Sequence, residues 1–318
     1  MYPARPLPHR VSYCTTCKGR LHHLKQTLPV NLAAEAGNPN VEFVILDYGS
    51  EDGLGEWIHA NYQPEIESGR IRYARSEQPH FRMAHAKNMA HRVATGDILC
   101  NLDADNVIAP DFSKYLVEQF SRNPHSVVSV HPLTVSEKRK KAEPLVVDGK
   151  RMRIGDGFGG RLAISSQDFY RIGGYDERHV GWGMDDVNFA LRARDAGLEP
   201  VRIPRGLYGN VIKHDNVDRL TELSQEGRQQ SQEHMRPKGK FRANAAEYLR
   251  LIRSYTPVVN TEGFGMGDVD INGRHTQHLG KKILPSPTTP EQTPPSSNRW
   301  REQALTRQAE RSRGHSPS

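Results

Sequence analysis

Cysteine is scarce in this chain, with only Cys14, Cys17 and Cys100 among 318 residues. Three thiols cannot all pair with one another, which excludes a disulfide scaffold and fits a reducing compartment. Long apolar runs are missing too. No stretch approaches the roughly 18 residues needed to span a bilayer, and the opening MYPARPLPHR lacks the apolar centre of a secretory leader. A cytoplasmic protein without a transmembrane segment is therefore expected. Hydrophobic residues reach only 36% and aromatics 7%, with a mean hydropathy of -0.72, so part of the chain is expected never to pack. An even basic charge is also absent. The net charge is +7, yet from Gly273 to Ser318 eight Lys/Arg stand against three Asp/Glu, so five of the seven charges fall there. What precedes that segment is close to neutral, which removes the case for a nucleic-acid partner. The tail charge allows at most weak contact with an anionic membrane surface, and plain solvation is the simpler reading.

What is present is an alternation of strand and helix patterns. RVSYCTT (10 to 16) reads as a strand stopped at Lys18-Gly19, and Leu21, Leu24, Leu28 and Leu32 then recur at helical spacing. VEFVILD (41 to 47) is a nearly continuous apolar run, the pattern of a strand buried on both faces, and GSEDG turns it into LGEWIHANY. The rhythm continues through RIRYAR (70 to 75), MAHAKNMAHRVA (83 to 94), DILCNLD (97 to 103), DFSKYLVEQFSR (111 to 122) and SVVSVH (126 to 131). These patterns predict a mostly parallel sheet flanked by helices, with ligands beyond the carboxyl ends of the strands. SEKRKKAEP then reads as a solvated insertion, DVNFALRARDAG (186 to 197) as a helix, LEPVRIP (198 to 204) as a strand and EYLRLIRSY (247 to 255) as a last packed helix. The expected divisions are an extension over 1–9, an α/β domain over 10–216, a helical extension over 217–273 and a disordered tail over 274–318. The tail is rich in Pro, Ser and Thr, with five prolines from Pro285 to Pro295.

Four segments carry candidate chemistry. In CNLDADN (100 to 106) a buried strand delivers Asp103 and Asp105 to its carboxyl end, where hard carboxylate oxygens suit Mg²⁺ or Mn²⁺; solvated acids in a turn are the bland alternative. In GWGMDD (181 to 186) two glycines allow close approach, Trp182 offers a flat apolar face, and Asp185 and Asp186 open a helix. Capping explains one such acid well, whereas a tryptophan between glycines just before two acids suits a sugar ring beside a general base. VIKHDN (211 to 216) contributes His214, a plausible imidazole ligand beside an acidic metal site. VILDYGSEDG (44 to 53) places Asp47 at a strand end, ready for a nucleotide base or ribose, or for an Asx-type turn.

Taken in order, YCTTCKGR, LDYGSED, HAKNMAHRVATGD, LDADN and GGYDERHVGWGMDD resemble the inverting glycosyltransferases of the GT-A fold, family 2 and its relatives. The last piece, with FGGRLAISSQDFYRIGGYDE before it, is similar to the C-terminal half of the β-1,4-galactosyltransferase type. The resemblance runs from about Arg10 to Asn216. It implies a Rossmann-like nucleotide-diphospho-sugar transferase domain, a nucleotide-sugar donor, a glycan or glycoconjugate acceptor, and Mn²⁺ or Mg²⁺ as cofactor. By this resemblance Asp47 contacts uracil or ribose, Asp105 and His214 bind the metal, and Asp103 and Asn88 hold the donor. Asp186 is the implied catalytic base, Asp185 binds acceptor hydroxyls, Trp182 stacks on a sugar, and Gly159 and Gly160 admit the donor close to the backbone. Three positions depart from the pattern. Tyr48 stands where a second Asp is usual, and Lys87 where Arg often precedes the Asn. Asp185 shortens the usual Glu, a change a pocket can turn into about 1 to 3 kcal/mol of discrimination.

The expected reaction is metal-dependent, inverting sugar transfer in surface polysaccharide or glycoconjugate synthesis. A sugar-phosphate nucleotidylyltransferase is the nearest competitor, but it normally carries a Gly-rich basic loop after its first strand, and TTCKGRLHH has one Gly. A non-catalytic glycan or nucleotide-sugar binding module is the competitor from another class, and the retained Asp185, Asp186 and His214 argue against it. The pair Cys14 and Cys17 lacks two further ligands at any recognised spacing, so it reads as part of the first strand. Thr15 and Arg20 are then expected to edge the nucleotide site.

Overall fold

In β1 (Val11–Cys17) and β2 (Val41–Asp47) every residue is buried, as the nearly continuous apolar run of β2 leads one to expect. They belong to a computed structural model that describes residues 9–130, 145–147, 150–152, 160–183, 185–207, 209–212, 220–234 and 256–281. After β1 come α1 (Leu21–Ala34), then β2, α2 (Leu54–Glu67), β3 (Ile71–Arg75), α3 (Met83–Val93), β4 (Ile98–Leu102), β5 (Asn106–Val107), α4 (Phe112–Arg122) and β6 (Ser126–Ser129). They are followed by β7 (Leu145–Val147), β8 (Lys150–Met152), β9 (Arg161–Ser165), α5 (Ser166–Arg171), α6 (Asp185–Asp195), β10 (Glu199–Arg202), β11 (Asn210–Val211), α7 (Gln225–His234), β12 (Gly267–Ile271) and β13 (His275–Leu279).

Nine strands form the main sheet in the order β10-β6-β9-β4-β1-β2-β3-β12-β13. The pairs β4-β1, β1-β2, β2-β3 and β10-β6 are parallel, whereas β9 runs antiparallel between β4 and β6. The chain order reverses around β1, whose neighbours are β2 and β4, the place where open α/β sheets leave a crevice for ligands. Register sharpens this: Cys17 pairs with Asp47 and Asp47 with Arg75, so the ends of three strands share one edge.

Strand alternation divides the core between the two faces. Tyr13, Phe43 and Ile45 pack with Leu24, Leu28, Leu54, Ile58 and Phe112, the inner faces of α1, α2 and α4. Their neighbours Cys14, Val44 and Leu46 point the other way, onto Ala86, Met89 and Ala90 of α3. Among the described residues no helix is long and apolar enough to cross a membrane.

The C-terminal region departs from the expected boundary at residue 273. β12 and β13 form an antiparallel hairpin that pairs β12 with β3, so the boundary falls within the hairpin. The Asn272-Gly273 turn, with φ of 57° and 65° at its two residues, is the strongest short hairpin signal in a sequence. Without the hairpin, β3 would be an open edge, and Tyr73 makes both of its backbone bonds to Asn272 instead. Of the helical extension, α7 is seen. The helix expected over 247–255, the insertion at SEKRKKAEP and the tail beyond residue 281 lie outside the described residues.

The reading of Cys14 and Cys17 as strand residues agrees with their placement. Three residues apart on a strand, they enter the two opposite core clusters. All three cysteines are free and buried, and burial raises each thiol above its ordinary pKa, Cys100 to about 12. A thiol-specific disulfide reagent at pH 8 is therefore expected to leave the native protein unlabelled and to titrate three thiols in denaturant. Fast labelling of two thiols in the native state would restore an exposed pair.

Candidate active site

Just beyond β4 the chain turns, with Asn106 N donating to Asp103 O at 2.9 Å, and Asp103 N donates to Gly160 O at 3.1 Å. A Cβ at position 160 would collide with the Asn106 amide, and that amide's Nδ2 donates to Asp105 Oδ1 at 3.0 Å. Gly160 thus shapes the carboxylate turn by close backbone approach. Arg161 lies buried beneath it, its Nη2 donating to Asn210 O at 2.7 Å and Val107 O at 3.3 Å. Burial pulls that guanidinium down to about 10, against the upward pull of Asp105, Cys100 and Asp103. These bonds hold β11 antiparallel to β5, and Ile212 N donates to Asp105 O at 2.8 Å. His214 and Gly159 lie outside the described residues.

Asp185 and Asp186 form the first turn of α6, where the helix dipole favours negative charge. Their main partner is Lys87 of α3, a residue the sequence marks only as a departure from Arg. Lys87 Nζ lies 2.6 Å from Asp185 Oδ2, 2.7 Å from Asp186 Oδ1 and 3.9 Å from Asp103 Oδ1. It sits 5.2 Å from the centre of the Tyr175 ring, and its side chain is 2% exposed. Burial opposes its charge, but the carboxylates, Asp185 first, outweigh burial and raise its pKa well above the ordinary value.

The two acids of the pair are driven apart. Burial works against the Asp185 charge, yet Lys87 overrides it and holds the carboxyl below its usual range. For Asp186, burial combined with the neighbouring Asp185 charge outweighs Lys87 and raises the pKa well above that range. Asp103 is raised as well, by burial first, with Asp105 adding and Lys87 opposing. Lys87 therefore stabilises the charge of both acids against the burial that opposes it.

Several expected contacts have other partners. Asp47 does stand at the end of β2, but it is fully buried. Its Oδ1 accepts from Ser50 N, and its Oδ2 from Tyr73 OH and Arg75 Nη1, each at 2.7 Å. It orders the strand-end loop from within, through donors of the protein itself. Asn88 is likewise fully buried. Its Oδ1 accepts from Tyr175 N at 2.7 Å, and its Nδ2 donates to Tyr175 O and Glu177 Oε1 at 2.8 and 2.9 Å. It fastens the Gly-Gly-Tyr loop to α3. Thr15 is buried within β1 opposite Ile45. Arg20 directly precedes α1, its carbonyl accepting from His23 N and Leu24 N at 3.0 and 3.2 Å. At that rim the sequence offered no sign of Lys18, whose ammonium donates to Gly49 O at 2.6 Å and Gln78 O at 2.9 Å. Trp182 is half-buried on a loop braced by α7, with Trp182 N donating to Ser231 Oγ at 2.7 Å and Gly181 N to Gln230 Oε1 at 2.8 Å.

Asp103 and Asp105 offer hard oxygens of the kind that Mg²⁺ and Mn²⁺ prefer. Among the described residues no three His, Cys, Asp or Glu are placed to hold a metal ion together. Of the described residues, Asp103 and Asp105 offer one or two carboxylates, a share these ions accept when phosphates and water complete the shell. That donor set fits a divalent ion held together with a nucleotide. A separate cleft of about 820 Å³ opens between the start of α2, the end of β3 and the C-terminal hairpin, and none of Lys87, Asp103, Asp105, Asp185 or Asp186 lines it.

A nine-stranded, mainly parallel α/β sheet, with Asp103 just beyond β4 and Asp185 and Asp186 at the start of α6, has the GT-A architecture. Residues 12–175 match the model described as glycosyl transferase family 2, and residues 149–215 a model described as the N-terminal domain of galactosyltransferase. The first match spans more than half of the chain, and the protein belongs to glycosyl transferase family 2. Among curated proteins it is similar to validoxylamine A glucosyltransferase of Streptomyces hygroscopicus subsp. limoneus, 24% identical over 229 residues, covering 61% of this chain and 49% of that protein. The enzyme of the same name from S. hygroscopicus subsp. jinggangensis (strain 5008) is 25% identical over 211 residues, covering 55% and 49%. The chain spans about half the length of these relatives. Among solved structures, S. aureus TarS 1-349 in complex with UDP-GlcNAc aligns with a TM-score of 0.50 at 12% identity, over 65% of this chain and 59% of that one. That likeness is one of fold.

Asn88→Ala is expected to lower stability by about 1 to 3 kcal/mol, because Tyr175 N loses its acceptor in a buried place. Chemical denaturation measures this. A wild-type midpoint combined with lost nucleotide affinity would return Asn88 to donor binding.

Proposed function

We propose that this chain transfers a sugar from a nucleotide-diphosphate donor, a UDP-sugar, to an acceptor hydroxyl with inversion at the anomeric carbon. One observation carries the reading: the donor-side Asp103 and the acceptor-side Asp185 and Asp186 surround a single ammonium, that of Lys87, within 3.9 Å. Membership of glycosyl transferase family 2 supports it, as does similarity to proteins named as glucosyltransferases.

In this reading Asp186 accepts the proton of the acceptor hydroxyl as its oxygen attacks the anomeric carbon. The bond to the diphosphate breaks on the opposite face, its electron pair leaving with the nucleotide, and no covalent intermediate forms with the protein. Asp103 holds the donor, while Asp105 and His214 hold a divalent ion, Mn²⁺ or Mg²⁺. That ion supplies neutralisation of charge on the departing diphosphate. Asp185 binds acceptor hydroxyls and keeps Lys87 in place. Trp182 presents its face to a sugar ring, and the backbone at Gly159 and Gly160 admits the donor. The acceptor class is a glycan or glycoconjugate in surface polysaccharide synthesis, with no nucleic acid involved. Three free cysteines suit a cytoplasmic reaction.

Screening nucleotide sugars with Mn²⁺ by thermal melting tests the donor class. A ligand at a hundred times its Kd is expected to raise the melting temperature by about 5 to 10 °C, and the shift should vanish with EDTA or in Asp105→Asn. If no nucleotide shifts the melt with metal present, the reading falls.

With donor and acceptor in hand, Asp186→Asn is expected to cut turnover by about 10² to 10⁴-fold. Near wild-type turnover in that variant would remove Asp186 as the base.

A further inference from the structure

Lys87 is one cation facing three anions. Asp185 Oδ2 and Asp186 Oδ1, at 2.6 and 2.7 Å, hold its ammonium by hydrogen bonds, whereas Asp103 Oδ1 at 3.9 Å lies beyond hydrogen-bond reach. Asp103 Oδ1 instead accepts from Asn101 Nδ2 at 2.9 Å. The Asp103 side chain keeps 36% of its surface exposed, while those of Asp185 and Asp186 keep 6% and 18%. The more open acid is thus the one the lysine does not bond. An ammonium is a compact donor on a flexible stem and swings among acceptors more readily than a planar guanidinium.

We infer that Lys87 is a positioning residue over which the two halves of the site compete. The acceptor-side acids draw its ammonium away from Asp103 and leave that carboxylate negative toward a cation and a nucleotide diphosphate. Weakening either acceptor-side acid releases the ammonium toward Asp103. There it neutralises the carboxylate, so the donor site loses affinity although neither Asp185 nor Asp186 touches the donor. The two half-sites are then energetically coupled through one side chain, and the coupling acts in both directions. This rests on the donor reading proposed above. A purely architectural ion pair makes a different prediction: losing one partner lowers stability and leaves nucleotide affinity unchanged.

The test is a double-mutant cycle read by binding, without turnover. Affinity for UDP with Mn²⁺ is measured by calorimetry, and Mn²⁺ alone by counting the free ion by electron paramagnetic resonance. Asp186→Asn is expected to weaken both by about fivefold or more, and Asp185→Asn in the same direction. In a Lys87→Gln background, Asp186→Asn should have no effect, and Lys87→Gln alone should bind Mn²⁺ no more weakly than wild type. Circular dichroism establishes that each variant is folded. Should Lys87→Gln not fold, the Asp185→Asn, Asp186→Asn double variant on the native lysine carries the test, with affinity falling below that of either single variant. Unchanged affinity in both single variants, or equal losses with and without Lys87, overturns the coupling. If the wild-type protein binds neither UDP with Mn²⁺ nor Mn²⁺ alone, the donor reading itself fails, an outcome separate from a failed cycle.

Discussion

A lysine ammonium taken out of water costs several kcal/mol unless anions meet it, and the active centre of this protein is arranged around that constraint. Every residue of α3 from Ala84 to Ala90 is buried, so Lys87 cannot reach solvent by a change of rotamer. Its charge is tolerable because Asp103 arrives from the end of β4 and Asp185 and Asp186 from the start of α6. The dependence is mutual. Two adjacent carboxylates in the first turn of one helix repel, and the helix dipole offsets only part of that. At the next position Asn88 holds the loop at Tyr175 through which the chain travels toward α6. One helix thus fixes the cation with one residue and the approach of its anions with the following one.

The C-terminal segments brace this arrangement from outside the parallel strands. α7 accepts backbone donors of Gly181 and Trp182 through Gln230 and Ser231, and Phe81 N, just ahead of α3, donates to Glu222 O at 2.8 Å. Gly227 and Ser231, one helical turn apart, present the small surface this contact requires, since a Cβ on Gly181 would strike Gly227 O. The hairpin of β12 and β13 covers the edge of β3 and extends the sheet, and Arg92 of α3 donates to the carbonyls of Phe264 and Gly280 at 2.7 Å. These parts are therefore packed as one unit with α3 and the strands.

Much of the fold was legible because burial writes itself into composition. β2 and β4 are buried on both faces, and the acids at or just beyond their ends, Asp47, Asp103 and Asp105, stand out against those runs. Asp185 and Asp186 stood out through the tryptophan between glycines just ahead of them. Lys87 was seen only as a variant of a pattern, since its partners lie as far as 99 residues away in sequence and no local spacing encodes such a meeting. A lysine among alanines on the inward face of a short helix was the available signal. Asn88 and Asp47 stood out in the sequence, but their partners within the protein were not legible, because a polar side chain saturated by the protein looks the same in sequence as one awaiting a substrate. The hairpin was missed although Asn272-Gly273 announces it, because a Pro-rich, basic continuation dominated the composition of that region.

Tyr48 shows how a departure from a family pattern can belong to the core. It follows Asp47 directly, and the pleat sends the two side chains to opposite faces of the sheet. Asp47 meets Tyr73 and Arg75, whereas Tyr48 enters the apolar cluster beneath α3 with Val44, Leu46 and Ala86. Its hydroxyl lies 2.6 Å from His85 Nδ1, and His85 Nε2 lies 3.0 Å from the Met266 carbonyl. A carbonyl only accepts, so Nε2 carries the proton and Nδ1 accepts from the tyrosine. The chain of bonds links β2 through α3 to the segment that precedes β12. An aspartate at this position would set a charge among apolar side chains and could not span the distance to His85. At a position where the resemblance leads one to expect an acid, this protein thus uses a tyrosine to fasten, through His85, the segment leading into the hairpin that extends its sheet.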